Sequence, residues 1–302
     1  MSGEASPVVS VVIVTWNSRR VVADCLESLR VSPPSVPWEA VVVDNASTDG
    51  TVSSIRAVSP WTRVIANSSN RGLPAANNQG IGSTTGEYVL IANPDIVLKP
   101  GAVDALRDLL ERHPNAAFAI PRLLYEDGSV QTSAGDLPTL AAALLGRQVQ
   151  RKLGARSDFW WDGWAHDEER SIGRGQEACY LVRRRAIEDF GLQDEAFFLD
   201  WEGPDWTARA RSCGWEVWFT PDAEVFHAGG ASIRQVPYGW IYHSHRGMYR
   251  YFAKRRPVWQ RPLIALLVAA RMAAKIVAQA LTRPTGKSMY GRGHGSGNGA
   301  GP

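Results

Sequence analysis

Cysteine is scarce. The 302-residue chain has three (Cys25, Cys179, Cys213), an odd count with no CxxC pair. A disulfide scaffold and a cysteine zinc site are therefore poor readings, and a reducing cytoplasm fits. No run of eighteen uncharged apolar residues occurs, which argues against a polytopic membrane protein. The opening MSGEASPVVSVVIVTW lacks a basic leader and its apolar run is short, so it reads as a buried strand rather than a signal peptide. No GxGxxG follows that strand and no GxxxxGK[ST] occurs anywhere, which disfavours a dinucleotide-binding Rossmann site and a P-loop. Acidic residues are missing altogether after Glu224. Twelve of the 33 basic residues fall beyond it, leaving 21 against all 30 acidic residues in the first 224, a net of −9 against +12. Such polarity points to an anionic partner for the tail, either nucleic acid or a membrane surface, and the acidic front argues against nucleic acid for the main domain.

What is present suffices for a large core. At 33.1 kDa, with 44% hydrophobic and 21% charged residues, the chain predicts one or two folded domains. Apolar runs at Val8–Trp16, Ala40–Asp44, Arg63–Ala66, Tyr88–Ala92 and Ala116–Ile120 alternate with helix patterns near 19–30, 50–58, 73–84 and 101–112. VVSVVIV and AVVVD are continuously apolar, as strands covered on both faces are. The alternation predicts an α/β fold with a mostly parallel sheet that binds ligands at the carboxyl ends of its strands. Further on come a helix near 138–146, a Trp-rich segment, a strand at 177–183, a loop at 193–203 and a helix at 204–213. Then follow the strands WEVWFT and AEVFH, and a basic, aromatic stretch leading into PLIALLVAARMAAKIVAQAL.

The candidate chemical groups follow strands. Thr15 and Asn17 end the first strand, and Asp44-Asn45-Ala46-Ser47-Thr48-Asp49 follows the second. Asp44 at the strand tip suits a base or ribose, whereas Asp49 reads as a helix cap. Asn93-Pro94-Asp95 ends another strand, where a carboxylate can hold Mg²⁺ or Mn²⁺ beside a diphosphate, or where the tripeptide simply turns. Asp200, Glu202 and Asp205 lie among aromatics and offer a general base, with Asp205 equally suited to the first turn of a helix. His227, before glycines, suits a metal or diphosphate. Trp160, Trp161, Trp164 and Trp201 offer flat faces to an acceptor sugar, or pack on the core.

TWN, VVVDNASTDGT, NRGLPAANNQG, YVLIANPD and FFLDWEGPDWTARARSCGWEVWFTPDAEVFHAGGAS together resemble the family 2 inverting glycosyltransferases of the GT-A fold, especially their bacterial rhamnosyltransferase-like branch. The likeness spans residues 8–235. It implies donor contacts from Thr15, Asn17, Asp44, Asn45, Asn70, Arg71, Asn77 and Asn93, and a metal held by Asp95 with His227 nearby. It also implies a GT-A domain over 1–235 (donor half 8–121, acceptor half 122–235), while charge and composition predict a basic amphipathic helical region over 236–283 and a disordered Gly-rich tail over 284–302. The family pattern puts its catalytic Asp directly after Glu202, where this chain has Gly203. Glycine cannot take a proton, so the expected base is Glu202, then Asp200, with the Gly203-Pro204 turn redirecting the chain.

Arg271 and Lys275 interrupt Pro262–Leu281, so an interfacial helix with snorkelling cations on an anionic membrane surface is expected rather than a span, ahead of the alternative of a helix packed on the catalytic domain or in a dimer interface. The expected partners are a nucleotide sugar (dTDP-rhamnose first, a UDP-sugar second) and a lipid-linked saccharide acceptor, at the inner face of the cell membrane. A homodimer is left open. The rivals are a nucleotidyltransferase, for which TWNSRR makes a poor phosphate loop, and a catalytically impaired homologue acting as a membrane-bound binding subunit.

Overall fold

The computed structural model describes residues 6–146, 149, 160, 161, 163–229 and 237–281. The Gly-rich tail, and the glycine and serine that follow Gly229 closely, lie outside these residues. The continuously apolar runs become the centre of one sheet: β1 (Val9–Thr15) is buried at every position, and β2 (Trp38–Asp44) at its last four. β3 (Arg63–Ala66) and β4 (Tyr88–Ala92) complete a parallel set, in the order β3-β2-β1-β4. The intervening helices α1 (Val22–Val31), α2 (Thr51–Val58) and α3 (Leu73–Gly82) cover its faces. The register pairs Thr15 with Asp44 and Ile13 with Ala92. The polar segments after β1, β2 and β4 therefore share the carboxyl edge.

The second half widens the same sheet. β5 (Ile96–Leu98) and α4 (Ala102–Arg112) lead to β6 (Ala116–Leu124), and the short β7 (Val130–Gln131) and β8 (Ala134–Gly135) precede α5 (Leu140–Leu145). β9 (Arg170–Ile172), β10 (Arg174–Gly175), β11 (Cys179–Arg183), α6 (Arg184–Phe190), α7 (Glu202–Ser212) and β12 (Glu216–His227) follow. β11 inserts antiparallel between β4 and β6. The two runs WEVWFT and AEVFH form one strand, β12, parallel to β6, with an irregularity between Thr220 and Glu224 that absorbs Pro221. Pro221 has no N–H to give a ladder, so a register shift there costs little.

Two expectations are corrected. Gly203-Pro204 is no turn: α7 begins at Glu202, and both residues lie in its first turn, where a proline's missing N–H leaves nothing unsatisfied. The basic C-terminal region also packs on the acidic front half. α8 (Pro237–Arg255) and α9 (Arg261–Leu281) join Phe197 and Trp201 in a third apolar cluster containing Met248, Tyr251, Phe252, Ile264 and Val268. Gly247 lets α8 approach closely, since a Cβ there would stand 2.9 Å from the Asp200 carbonyl oxygen. Arg250 and Lys254 pair with Asp194, and Lys254 and Arg255 with Asp205. Arg271 does not snorkel; it donates to the Leu144 carbonyl at 2.7 Å. Packing thus accounts for several of the cations that the charge asymmetry assigned to a membrane.

Candidate active site

The turn after β2 is built by its own side chains. Asp44, 1% exposed, accepts hydrogen bonds from the Thr15 hydroxyl (2.9 Å), the Ser47 hydroxyl (2.5 Å) and the Ser47 N–H (2.9 Å). Asn17 adopts φ 49 and accepts from Thr48 N–H, which ties the turns after β1 and β2 together. Asn45 is a strut rather than an open contact: it donates to the Gly72 carbonyl and accepts from Asn67 and from Arg71 N–H. Asn70 accepts from Gly72 N–H, and Arg71 is exposed beside this loop. Asn77 is buried in α3 and donates to Gln193 at 3.0 Å, so it pins the 193 loop instead of facing open space. Gly50 (φ 87) takes the N-cap position of α2, and Asp49 just before it accepts from Thr51 N–H at 3.0 Å.

Further along the edge, Asp95 and His227 come together although 132 residues apart, with 3.7 Å between Oδ1 and Nε2 and both side chains under a tenth exposed. The Gln131 amide oxygen accepts from His227 Nδ1 at 2.7 Å, so Nε2 carries the free lone pair that a metal ligand needs. Burial lowers the His227 pKa against the pull of Asp95, which favours the neutral, ligating imidazole. Among the described residues no group of three or more His, Cys, Asp or Glu is disposed around a metal. One carboxylate and one imidazole suit a divalent ion whose remaining positions go to water and a diphosphate, so the donor set fits Mg²⁺ or Mn²⁺.

Next to Asn93 opens a cavity of about 430 Å³, lined by Arg174, Glu177, Asp200, Trp201 and Glu202 among others. Asp200 (φ 69) and Trp201 (φ 73) take left-handed backbone conformations immediately before α7. That bend presents the carboxylates of Asp200 and Glu202 to the cavity. Asp200 is tethered at both oxygens: Oδ2 accepts from Ser244 of α8 at 2.6 Å and Oδ1 from Trp201 N–H at 3.1 Å. Glu202 is 3% exposed and its Oε2 has no hydrogen-bond partner. Burial, and then the neighbouring Glu177 and Asp200, push its pKa well above the ordinary carboxylate value, which disfavours its charged form. Asp205 belongs to a different arrangement. It is 0% exposed, is absent from the cavity lining and accepts from Arg209 (3.1 Å), Lys254 (2.8 Å) and Arg255 (3.0 Å). It ties α7 to α8, so the catalytic expectation for Asp205 gives way to a structural role.

The tryptophans divide in the same way. Trp160 lines the cavity with the Arg174 guanidinium 3.9 Å from its ring centroid, whereas Trp201 borders it from just before α7 but is 5% exposed and packed on Tyr251 and Phe252, so the sugar-face expectation for Trp201 gives way to core packing. Trp161 and Trp164 are outside that lining and pack on the core. Trp164 meets Phe219 at 4.8 Å, and Trp161 donates to Asp136. For these two the core-packing alternative prevails, because their faces are already covered. Glu177 was missed from the sequence: it precedes β11 in GRGQEACYLV, which resembles no catalytic pattern, and only the antiparallel insertion of β11 carries it to the cavity. Its neighbours Arg174 and Gln176, charged and polar just before an apolar strand, were the available signal.

The profile of the family described as "Glycosyl transferase family 2" matches residues 10–174. The chain is 31% identical over 273 residues to N-acetylglucosaminyl-diphospho-decaprenol L-rhamnosyltransferase of Mycobacterium tuberculosis (strain ATCC 25618 / H37Rv), covering 84% of this chain and 87% of the relative. It is 30% identical over 237 residues to the succinoglycan biosynthesis protein ExoO of Rhizobium meliloti (strain 1021), covering 76% of this chain and 63% of that one. Among solved structures, the mannosyltransferase PcManGT from Pyrobaculum calidifontis, in complex with GDP-Man and Mn2+, superposes with a TM-score of 0.56 at 18% identity over 92% of this chain and 76% of that one. GalNAc-T7 with UDP, GalNAc and Mn2+ superposes with a TM-score of 0.54 at 17% identity, over 74% and 44%.

Proposed function

The chain belongs to glycosyl transferase family 2, and from that premise we propose that this glycosyltransferase moves rhamnose from dTDP-rhamnose, with inversion, to a hydroxyl of a lipid-linked saccharide in cell-wall or surface-polysaccharide synthesis. A UDP-sugar is the second choice of donor. The observation that carries the reading is the meeting on one sheet edge of the Asp44 turn, the Asp95–His227 pair and a carboxylate-lined cavity. The rhamnose and acceptor choices draw support from the Mycobacterium tuberculosis relative, whose name specifies an L-rhamnosyl group and an N-acetylglucosaminyl-diphospho-decaprenol acceptor.

In this reading the 44–48 turn, with Thr15 and Asn17, cradles the nucleoside, and the Asn70–Arg71 loop, held by Asn45, borders it. Asp95 and His227 hold a divalent ion, which when bound offsets charge on the leaving diphosphate. Trp160 flanks the acceptor, and a cavity carboxylate accepts the proton of the attacking hydroxyl. Melting with dTDP-, UDP- and GDP-sugars tests the donor site. A ligand at 100 times its Kd adds about 2.7 kcal/mol, so one nucleotide class should raise the Tm, and excess chelator should remove the rise. A flat response to all three classes with either metal would defeat the reading.

The lipid-linked acceptor calls for a membrane surface, and α9 offers one. Its inner face buries Ile264 and Val268, while Leu263, Leu266, Ile276, Val277 and Leu281 are each more than a third exposed. Val258–Leu281 is long and apolar enough to cross a membrane by length and composition. Its contact with the cluster around Trp201, together with Arg271 held at Leu144, favours a helix lying in the interface with its outer face in lipid. The exposed Arg246 and Arg256 add about 1 kcal/mol each near an anionic leaflet. Leu263→Gln with Leu266→Gln should weaken cosedimentation with phosphatidylglycerol vesicles at least tenfold while leaving donor-induced stabilisation intact. Equal partitioning of variant and wild type would remove α9 from the membrane.

A further inference from the structure

We propose that Glu177 is the proton acceptor for the attacking hydroxyl, seated in a space that exists because residue 203 has no side chain. The inference rests on the glycosyltransferase reading above and names the group that performs its proton transfer. A Cβ built on Gly203 would fall 2.5 Å from Glu177 Cδ and closer still to its Cγ and Oε1. No real Cβ tolerates such contacts. The Glu177 side chain therefore occupies the volume that any larger residue at the start of α7 would take, and its carboxylate faces the cavity from there.

The other acids around the cavity are unsuited. Asp200 has both oxygens committed, to Ser244 and to the Trp201 N–H. Glu202 is nearly sealed from solvent, its Oε2 has no hydrogen-bond partner and it sits beside two other acids, so nothing there supports its charged form or opens it to an entering hydroxyl. Asp205 is held by three cations on the far side of the helix turn. Glu177 differs on each count. Its side chain is 28% exposed, within reach of a hydroxyl entering the cavity, and Arg174, 2% exposed, stands 3.3 Å from Oε1. The groups facing it are Arg174 from β10, Asp200 from the bend before α7, Glu202 from the start of α7, and Tyr180 from β11. Burial raises the Glu177 carboxyl to about 7, with Arg174 opposing the rise and Asp200 adding to it. A base with that affinity is matched to neutral pH.

The step balances. The acceptor oxygen forms its bond to the anomeric carbon as its proton passes to Glu177. The bond from that carbon to the diphosphate oxygen breaks, and its electron pair leaves with the nucleoside diphosphate. Arg174 then faces a neutral carboxylic acid, which returns the proton to water through the open side of the cavity.

The test uses the full chain with dTDP-rhamnose and N-acetylglucosaminyl-diphospho-decaprenol. Glu177→Gln keeps the shape but cannot accept a proton. Its kcat should fall about 10²–10⁴-fold, with donor-induced stabilisation unchanged. Wild-type kcat should decline as pH falls below about 7, because the carboxylate must be ionised to act, and the variant should lose that limb. Removing Glu177 also empties the space beside residue 203, so Glu177→Ala should be as slow as Glu177→Gln, and adding Gly203→Asp to it should recover at least tenfold. Gly203→Asp alone should be slow, because the two side chains then compete for one volume. A Glu177→Gln enzyme within threefold of wild type overturns the assignment, as does loss of the rate in Glu202→Gln with Glu177→Gln active. A wild type that neither binds a nucleotide sugar nor transfers one overturns the glycosyltransferase reading itself, a result distinct from failure of the base alone.

Discussion

Replacing Asp95 by asparagine should lower turnover about 10³-fold and abolish the part of donor-induced stabilisation that a chelator removes. A divalent ion at a leaving diphosphate contributes several kcal/mol of charge stabilisation, and each 1.36 kcal/mol is tenfold in rate. In the proposed site the Asp95 carboxylate is one of two protein donors, with His227 Nε2 at 3.7 Å. Asparagine keeps the shape and removes the charge, so the 93–95 turn should survive. The backbone bond from Ala228 N–H to the Asp95 carbonyl does not involve the side chain. Melting without ligand should match the wild type, while the metal-dependent shift with nucleotide sugar disappears. A variant that kept both its rate and its chelator-sensitive shift would place the ion elsewhere.

Asp205→Ala should damage the fold rather than the chemistry. Removing one member of a buried ionic network costs about 3–5 kcal/mol because the remaining charges lose their partner. Lys254, Arg255 and Arg209 keep 36%, 27% and 26% of their side-chain surface exposed, so water recovers part of that loss and about 2–4 kcal/mol is expected. For a chain of this size that is a fall of roughly 5–15 °C in Tm. Burial alone would raise the Asp205 pKa, but Lys254 and Arg255 outweigh it and hold the carboxyl below its ordinary value. The contribution is therefore present in full above the unfolded carboxylate pKa of about 3.9 and is lost as pH falls through the folded value. The Tm gap between wild type and Asp205→Ala should be wide at pH 6 and narrow below pH 4. An unchanged Tm at pH 6 would mean that this network does not bind α8 to α7.

Much of the architecture was legible because it is local. VVSVVIV and AVVVD predict strands covered on both faces, and β1 and β2 are such strands. TWN, the Asp44 turn and NPD follow apolar runs, so their place at the carboxyl edge follows from strand polarity alone. β5 went unseen because three residues directly after a turn carry no periodicity. β12 read as two strands because Pro221-Asp222 interrupts the apolar pattern, whereas pairing with β6 resumes after the irregularity. The composition of the C-terminal region suggested a charged surface helix, yet its acid-free sequence hid partners that lie 49 to 60 residues upstream.

The sequence by itself determined the strand-and-helix order, the edge on which polar groups gather and the family motifs that this edge carries, because each depends on neighbours within a few residues. Tertiary structure alone decided which acids share a cavity and in which direction each one's proton affinity moves. Asp205 and Glu202 are three residues apart on one helix, but α8 gives the first its cations while the cavity wall leaves Oε2 of the second without a hydrogen-bond partner. Glu177 and Gly203 are 26 residues apart, and nothing in either segment refers to the other. They meet because β11 runs antiparallel beside β4 and sets Glu177 against the first turn of α7. Proton affinity depends on burial and nearby charge through space, so it becomes readable only once the chain has brought those groups together.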